Sequence, residues 1–471
     1  MYLYDKLVHY AADDYYPFHM PGHKRNLQLM NNFNPYSIDI TEIDGFDNLH
    51  AAEDVILDSM NRAARLYHSE STMYLVNGST SGILTGISAC TKKGDRILMA
   101  RNCHKSAYHA VFINELNPVY LYPQTDGENG IQCGYSAKYI EEMLIKYEDV
   151  QLIVLVSPTY EGVVSEIREI CKIAHERKIP VLVDEAHGAH FRFHEEFPTS
   201  AVDLGADLVI QSVHKTLPAF TQTALLHVNG NLVDLDKVKV YSAIYQTSSP
   251  SYVLMAGIDR CISLMEEKGE ELFNQFMVWL HEFYEGTKDL KCLKVESAKG
   301  RDLSKIIIST RETYMTGPQL YDILLQDYKL QMEMAEADFV LAIATVGDTK
   351  EGLLRLQNAL HEIDEGLTRC PSKNRVFYIP IEAKVELLQH EAFYRKKKSC
   401  LLTDSVGQIA GDYVYLYPPG IPILVPGEII QEQIVEEIQE FVASGLAVKG
   451  LIDKKYVPVI YREDEICQRY L

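Results

Sequence analysis

The sequence predicts an α/β protein with a mostly parallel central sheet that carries helices on both faces, and three observations support this fold class. Short apolar runs alternate with amphipathic stretches of helical period in the first half of the chain. Four runs have the composition of buried strands: Arg96–Met99, Leu152–Val156, Val181–Val183 and Leu208–Ile210. The unit from Leu152 to Asp184 has the pattern strand, loop, helix, strand, which is by default a right-handed crossover between parallel strands.

Helical stretches separate these strands and dominate the chain after about Ser249. The expected helices are Asp54–Leu66, Ala137–Tyr147, Val164–Lys178, Tyr252–Lys268, Glu270–Lys288 and Thr349–His361. A length of 471 residues exceeds one ordinary domain. We predict an N-terminal linker or interface segment at 1–60, a large domain at 61–270, a small domain at 271–370 and a C-terminal domain at 371–471. The last boundary rests on the polar, proline-containing stretch Thr368–Arg375.

The composition is that of an ordinary globular protein with an acidic surface. Hydrophobic residues make up 47% of the chain and charged residues 24%. The 45 basic and 66 acidic side chains give a net charge of −21, which argues against general nucleic-acid binding because that needs a basic face. A negative field attracts cations, so the charge is compatible with a cationic substrate, although acidity can also serve solubility alone.

The sequence indicates neither a disulfide framework nor a metal site. The nine cysteines are odd in number and scattered, and none forms a C-x-x-C pair. Free thiols fit a reducing compartment. Residues Met1–Asp14 lack the apolar core of a signal peptide, and no run approaches about 18 uninterrupted apolar residues. We therefore expect a cytoplasmic protein without a membrane span.

Candidate site residues follow the predicted strands directly, where ligands bind in open parallel sheets. Ser79, Thr80 and Ser81 precede a helix, and their hydroxyl and N–H groups suit a phosphate together with the helix dipole. His104 follows another strand and could stack on a flat cofactor. Thr159 could donate its hydroxyl to a phenolic oxygen. Each of these motifs alone is equally typical of an ordinary turn or surface loop.

A carboxylate, Asp184, ends the apolar run Val181–Val183. A buried carboxylate is costly unless it is paired. The N–H of a protonated pyridine ring is such a partner, and protonation makes the ring an electron sink. Ala186 returns to the same side of the strand and is small enough to lie under a ring. The alternative is a metal site of Asp184 with His187, whose other ligands would come from unrelated parts of the chain.

An amine, Lys215, follows the next predicted strand beside Ser212 and His214. A lysine at this place is a candidate for a Schiff base, because burial or a neighbouring cation can remove its proton. Most lysines are solvated surface residues, so Lys215 alone would carry little weight. An anion loop, a stacking imidazole, an aspartate and a lysine in this order together suit one planar, phosphorylated pyridinium cofactor.

Six stretches carry a resemblance to known proteins: Pro21–Lys24, Asp47–His50, Asn102–Ser106, Asp184–His187, Ser212–Lys215 and Tyr417–Pro422. They resemble the fold-type-I enzymes that use pyridoxal 5′-phosphate (PLP), and specifically the bacterial ornithine/lysine/arginine decarboxylase family. The resemblance implies a fold-type-I PLP-dependent transferase-like architecture with smaller α+β domains on the C-terminal side. Many members begin with an additional wing domain. This chain starts almost at the linker before the PLP domain, so it is similar to the short, wingless, arginine decarboxylase-like members.

The resemblance also implies a role for each candidate residue. Lys215 carries PLP as a Schiff base, Asp184 pairs with the ring nitrogen, and His104 stacks on one ring face. Ala186 packs on the other face. Further cofactor contacts are implied for Ser79, Thr80, Ser81, Thr159, His187, Ser212 and His214.

Two implied contacts lie outside this group. Thr247 or Ser248 matches a hydroxyl that reaches the phosphate of the partner subunit, which makes the minimal unit a homodimer with shared active sites. Glu428 matches a carboxylate close to the distal cation of the substrate. The alternative for Glu428 is a capping residue before a helix that starts at Ile429.

The implied reaction is PLP-dependent α-decarboxylation of a basic amino acid, with L-arginine converted to agmatine and CO₂ in polyamine biosynthesis. Lysine and ornithine stay open as substrates, because one glutamate can pair with a guanidinium or an ammonium. An aminotransferase or carbon–sulfur lyase also stays open, with Arg355 as a formal candidate to bind the substrate carboxylate. So does a catalytically inactive PLP-binding regulator. We interpret the cluster His19–Arg25 as an interface or structural segment.

Overall fold

The central sheet has seven strands in the computed structural model, which describes residues 10, 12–26, 28, 34–126, 131–296, 300–370, 381–417 and 420–461. An N-terminal strand, β1 (Tyr16–Phe18), precedes it. The strands of the central sheet are β2 (Ser71–Leu75), β3 (Arg96–Ala100), β4 (Asn117–Leu121), β5 (Val150–Val156), β6 (Val181–Asp184), β7 (Leu208–Gln211) and β8 (Ala224–Val228). The helices of this part are α1 (Val55–Tyr67), α2 (Gly78–Cys90), α3 (Lys105–Ile113), α4 (Ala137–Lys146), α5 (Ile167–Glu176), α6 (Val213–Thr216) and α7 (Leu235–Tyr245).

The strand order in this sheet is β2-β8-β7-β6-β5-β3-β4. Six strands run in one direction, and β8 is antiparallel to both of its neighbours. The inner strands are apolar and buried because helices cover both faces of such a sheet. The mostly parallel sheet predicted from the sequence is confirmed. Its carboxyl edge brings the ends of β3, β5, β6 and β7 side by side.

A second, antiparallel sheet follows a long helix. The helices of this part are α8 (Tyr252–Gly286), α9 (Gly317–Gln326) and α10 (Lys350–Glu365). The strands of this part of the chain are β9 (Lys294–Glu296), β10 (Lys305–Ser309), β11 (Leu330–Met332), β12 (Met334–Ala335) and β13 (Phe339–Ile343). Four of them pair in the order β12-β13-β10-β9, and β11 pairs in parallel with β1.

The helix α8 corrects one expectation, because the two helices predicted at Tyr252–Lys268 and Glu270–Lys288 form a single continuous helix. Gly269 costs about 1 kcal/mol relative to alanine in a helix interior. Here it is buried, and a Cβ at this position would lie 3.5 Å from Phe193. The apolar stripe continues across it from Met265 to Phe273, so packing against the core outweighs the local preference.

The C-terminal part has a separate small core. Its helices are α11 (Gln389–Tyr394) and α12 (Glu432–Ala443), and its strands are β14 (Lys397–Leu401), β15 (Val414–Leu416), β16 (Pro422–Leu424), β17 (Val448–Lys449) and β18 (Tyr456–Ile460).

Short 3₁₀ helices lie elsewhere along the chain as well as in this part, at Pro35–Ser37, Leu49–Ala51, Phe191–Phe193 and Leu402–Asp404. Within the described ranges, no helix combines the length and apolar character needed to cross a membrane.

The domain boundaries stay predictions. A division between residues 270 and 271 would fall inside α8, which is one unbroken helix. The division at 371 lies next to residues 371–380, outside the described residues, as does most of the proline-containing stretch that predicted it.

Candidate active site

A cavity of about 230 Å³ lies at the carboxyl edge of the central sheet. A water molecule needs about 10–15 Å³ on this measure, so the cavity has room for an organic ligand. Ten predicted site residues line it: Ser79, Thr80, His104, Thr159, Asp184, Ala186, His187, Ser212, His214 and Lys215. They come from the start of α2, from the last residue of β6, from α6 and from the loops after β3, β5, β6 and β7. Parallel strand direction therefore gathers residues that are distant in the chain into one site.

Asp184, the last residue of β6, is a buried carboxylate with a free acceptor oxygen. It is 7% exposed. Its Oδ1 accepts a hydrogen bond from the backbone N–H of Ala186 at 3.1 Å, and its Oδ2 has no hydrogen-bond partner among the described residues. Burial raises the pKa of Asp184, and the nearby Lys215 acts in the opposite direction. A cationic N–H donor in the cavity would satisfy this oxygen.

Lys215 lies in α6, and its amine faces His187. The Nζ of Lys215 lies 3.0 Å from Nε2 of His187. Burial lowers the pKa of Lys215, while Asp184 and Glu333 partly oppose that shift. Burial and Lys215 together lower the pKa of His187 well below its usual value. A neutral imidazole can accept a hydrogen bond from the amine, and the lowered pKa of Lys215 favours its neutral, nucleophilic form.

His104 and Ala186 supply two small walls of the cavity. His104 caps α3, and its Nδ1 accepts from the N–H of Ser106 at 3.3 Å and lies 2.8 Å from the Ser106 hydroxyl. Burial lowers the pKa of His104 to about 3, so the ring is neutral. Ala186 is buried and adds only a methyl group. A neutral imidazole and a methyl group suit the faces of a flat ring.

The N-terminus of α2 forms an anion-binding corner. The hydroxyls of Ser79 and Ser212 lie 2.6 Å apart and both line the cavity. Asn77 precedes the helix, and its side chain makes no capping hydrogen bond. The first-turn N–H groups of a helix have no partner within the helix. These N–H groups and the two hydroxyls can therefore converge on a phosphate.

Four predicted residues lie elsewhere. Ser81 is buried and donates its hydroxyl to the carbonyl of Gly78 at 2.8 Å. Thr247 and Ser248 are exposed and do not line the cavity of their own chain. Glu428 is buried with its Oε2 at 3.3 Å from Arg101, and it also lies outside the cavity lining.

The capping alternative for Glu428 is wrong, whereas its predicted contact with the substrate stays a prediction. The helix α12 starts at Glu432 with Gln431 as its N-cap, three residues later than the helix expected from Ile429. The backbone of Ile429 and Ile430 instead pairs with neighbouring loops, at Lys384 and Gln408. Because these backbone groups take part in long-range contacts, the helix begins later in the chain than expected.

Several polar cavity residues were not assigned a role from the sequence. Asn102 donates to Gln132 at 2.9 Å, and both line the cavity. Tyr160 donates to Glu333, which also accepts from the N–H of Met20 at 2.9 Å. Glu161 lines the cavity beside Tyr160. Asn102, Tyr160 and Glu161 stand in strand-end stretches, so their position was a usable signal, whereas nothing local marks Gln132 or Glu333.

The segment Pro21–Lys24 lies against residues 212–217, which contain the short helix α6 and are called the Lys215 loop below. The N–H of Gly22 donates to the carbonyl of His214 at 2.7 Å, and the carbonyl of Gly22 accepts from the Thr345 hydroxyl at 2.6 Å. The buried ammonium of Lys24 donates to the carbonyl of Ile343 at 2.6 Å. The segment therefore ties the Lys215 loop to the end of β13.

We expect Gly22→Ala to destabilise the fold. A Cβ on Gly22 would lie 2.8 Å from the backbone N of Leu217, and backbone atoms cannot move aside as a side-chain end can. Overpacking of this kind costs about 1–3 kcal/mol. Urea unfolding measures the change. In the control Gly366→Ala, the added Cβ meets its nearest atom at an ordinary 3.5 Å, so the change should stay within about 0.5 kcal/mol. Equal effects of the two substitutions would contradict the packing argument.

The described side chains offer no alternative metal centre, since nowhere among them do three or more His, Cys, Asp or Glu residues come together in a way that could hold a metal ion. The alternative interpretation of Asp184 and His187 as metal ligands therefore gains no support from the residues that the structure describes.

Solved structures share this architecture. The lysine decarboxylase of Francisella novicida matches with a TM-score of 0.79 and 20% identity, over 97% of this chain and 80% of that one. A serine palmitoyltransferase of Sphingomonas wittichii matches with a TM-score of 0.58 and 15% identity, over 75% of this chain and 88% of that one. At these identities the likeness shows the fold alone, which is the fold-type-I architecture of PLP-dependent enzymes.

Sequence relatives identify the family. An arginine decarboxylase of Bacillus subtilis (strain 168) is 31% identical over 467 residues, with 95% of each chain covered. One of Bacillus anthracis is 30% identical over 482 residues, with 97% of this chain and 98% of the relative covered. Residues 2–318 match the family Orn/Lys/Arg decarboxylase, major domain, and residues 375–445 match the corresponding C-terminal domain. The chain belongs to the Orn/Lys/Arg decarboxylase family and is a decarboxylase, so the resemblance drawn from its motifs is confirmed.

Proposed function

We propose that this decarboxylase uses PLP and converts L-arginine to agmatine and CO₂. The observation that carries the cofactor part is the free Oδ2 of buried Asp184 in the same cavity as the Lys215 amine. The arginine part is supported by the relatives of Bacillus subtilis and Bacillus anthracis, which are both named arginine decarboxylase. An acidic protein also suits a cationic substrate.

The residues present fit PLP at each of its functional groups. Asp184 has an oxygen available for a protonated ring nitrogen. The corner of Ser79 and Ser212 at the start of α2 suits the phosphate. Lys215 supplies the amine that would hold the cofactor covalently, and Thr159 lines the same cavity. One flat, anionic heterocycle satisfies all these groups together.

When bound, PLP supplies an electron sink for the pair that the departing carboxylate leaves on Cα. The chain would contribute the remaining functions. Asp184 would keep the ring nitrogen protonated, since a buried carboxylate favours a cationic partner. Lys215, whose Nζ lies 3.0 Å from Nε2 of His187, would deliver a proton to Cα after CO₂ has left, with the neutral His187 as its hydrogen-bond acceptor. Burial of the site excludes water from this proton transfer.

The cavity favours decarboxylation over transamination. Arg355, the formal candidate for a carboxylate clamp, instead pairs with Asp14 at 3.1 Å and donates to the carbonyl of Tyr328. No arginine is among the described residues that line the cavity, and Ile421 adds an apolar wall. A guanidinium bound to the substrate carboxylate would stabilise the ground state and so raise the barrier to loss of CO₂. A cavity without such a guanidinium avoids this increase in the barrier.

We also propose a homodimer or higher homo-oligomer with shared active sites in the cytoplasm. Thr247 and Ser248 are exposed outside their own cavity, as a contribution to a partner subunit requires. His50 lies 2.8 Å from the carbonyl of Thr247 and would hold this loop in place. The cysteines that the structure describes are all free, which suits a reducing compartment.

Steady-state kinetics of the PLP-loaded enzyme with arginine, lysine and ornithine test the proposal. We expect kcat/KM for arginine to exceed the other two by about 10-fold or more, since a guanidinium can make two parallel charge-assisted hydrogen bonds where an ammonium acts as a point charge. Release of CO₂ is measured together with formation of keto acid. A higher kcat/KM for lysine or ornithine would replace arginine as substrate, and keto acid without CO₂ would contradict decarboxylation.

A further inference from the structure

A buried cluster of three polar side chains, Lys305, Asp302 and His190, lies beside the loop that carries His187. Each of the three is at most 1% exposed. The ammonium of Lys305, the first residue of β10, pairs with Oδ2 of Asp302 at 2.9 Å. Oδ1 of Asp302 lies 3.1 Å from Nε2 of His190. The reaction proposed above uses none of these groups, although burial of charge is costly and calls for a reason.

His190 is the neutral member of the cluster. Its Nδ1 is buried and has no hydrogen-bond partner among the described residues, and the rings of Phe191 and Phe197 lie edge-on to it. A protonated ring would bury an unpaired N–H there, and burial lowers the pKa of His190. Neutral His190 therefore donates from Nε2 to Asp302. The cluster holds one positive charge, on Lys305, and one negative charge, on Asp302.

The cluster contacts two loops that line the cavity. The Nζ of Lys305 lies 3.5 Å from the carbonyl oxygen of His187, whose Nε2 is 3.0 Å from Nζ of Lys215. The backbone N–H of Asp302 donates to the carbonyl of Gly162 at 2.9 Å. A Cβ on Gly162 would lie 2.9 Å from Cβ of Asp302, so the loop after β5 packs directly on this residue. One residue, His187, thus separates the ammonium of Lys305 from the amine of Lys215.

Titratable groups act on Lys215 from several elements. Burial lowers the pKa of Lys215 and Lys305 acts in the same direction, whereas Asp184 and Glu333 oppose them. Burial, Lys215 and Lys305 also lower the pKa of His187. Burial lowers the pKa of two further cavity imidazoles to about 3 and about 4, and raises the pKa of a cavity carboxyl; these groups are His104, His214 and Glu161. Lys305 is therefore a cation that opposes protonation of both members of the Lys215–His187 pair.

We propose that Lys305, held in place by Asp302, is a positioning residue for the Lys215–His187 pair and favours the neutral amine on Lys215. It does not line the cavity, so it acts through the His187 loop and through its charge rather than by touching the substrate. This inference rests on the proposed function, in which Lys215 is a nucleophile, and adds to it a residue from the second sheet.

The pH dependence of Lys215 acetylation tests this role in the full-length chain freed of PLP. Only the neutral amine attacks acetic anhydride, losing its proton as acetate leaves, so the rate follows the deprotonated fraction; mass spectrometry of the Lys215 peptide measures it. Lys305→Met removes the charge and should move the midpoint of the profile to higher pH. Below the midpoint we expect acetylation about 10-fold slower. The limiting rate at high pH should stay within about twofold, because access to Lys215 is kept.

A second variant covers the case in which Lys305→Met does not fold, since it leaves a buried carboxylate without its cation. The double variant Lys305→Met/Asp302→Asn contains no unpaired charge at this place. It should still slow acetylation below the midpoint about threefold, because the cation that acts on Lys215 is gone. Lys24→Met is the matched control. Lys24 is also a buried lysine and donates to the carbonyl of Ile343 at 2.6 Å, and its removal should leave the profile unaltered.

An unchanged midpoint in the double variant would overturn the inference, whatever the single variant shows. An equal shift in Lys24→Met would also overturn it, because loss of any buried lysine would then disturb the site. The acetylation profile requires no turnover, so it separates this inference from the proposed function. If the chain releases CO₂ from none of the three amino acids, the proposed function fails, while a shifted midpoint still supports the action of Lys305 on Lys215. An active enzyme with an unchanged midpoint contradicts the inference alone.

Discussion

Lys215→Ala should lower the turnover of arginine by about 10³-fold or more, because removal of a residue that bonds covalently in the reaction leaves only binding and electrostatic contributions. The amine of Lys215 lies 3.0 Å from His187, and its burial lowers its pKa toward the nucleophilic form. Steady-state release of CO₂ measures the loss. Added methylamine should restore part of the activity, since a small amine can replace the missing group.

The control for this variant is Lys172→Ala. Lys172 is an exposed residue of α5 outside the cavity lining, so its removal should leave turnover within about twofold. If Lys215→Ala kept more than a tenth of wild-type turnover, the covalent role of Lys215 would be refuted.

Asp184→Asn should give the second large loss, about 10²- to 10⁴-fold in kcat, with weaker PLP binding. Asparagine can still accept from the N–H of Ala186, so the local shape is kept. It cannot hold a proton on the ring nitrogen by charge, and the electron sink weakens. A PLP analogue with a permanently methylated ring nitrogen should restore part of kcat in Asp184→Asn but not in the wild type. That pattern separates loss of charge from loss of structure.

Asp207→Asn is a matched control, because Asp207 is also a buried carboxylate of the same sheet. It lies at the amino end of β7 and pairs with His175 at 2.8 Å. Its replacement should lower thermal stability while leaving PLP affinity unchanged. An Asp184→Asn enzyme within threefold of wild-type kcat would contradict the role given to Asp184.

The sheet and much of the cavity could be predicted because both depend on local signals. A buried parallel strand is a short apolar run, and the residue that follows it lies at the ligand-binding edge. Asp184 and Lys215 follow such runs directly, so their convergence needed only the direction of the strands. The same reasoning located His104 and Thr159.

Contacts between distant parts of the chain could not be predicted. The ion pair of Glu428 with Arg101 has no local signal, because 327 positions separate these residues in the chain. Glu333 comes from the second sheet and reaches Tyr160 through packing that no local pattern encodes. The contact of Gly22 with the Lys215 loop is equally long-range. These features depend on how distant parts of the chain pack together. Residue periodicity and motif spacing carry no information about that packing.

The most direct test of the account locates the cofactor on the chain. The enzyme is loaded with PLP, reduced with borohydride, digested and analysed by mass spectrometry. We predict one pyridoxyl group per chain, on the peptide that contains Lys215. Among the described residues, the two buried lysines are already engaged, since Lys305 pairs with Asp302 at 2.9 Å and Lys24 donates to backbone carbonyls. A label on either of these lysines, or no label on any peptide, would contradict the account.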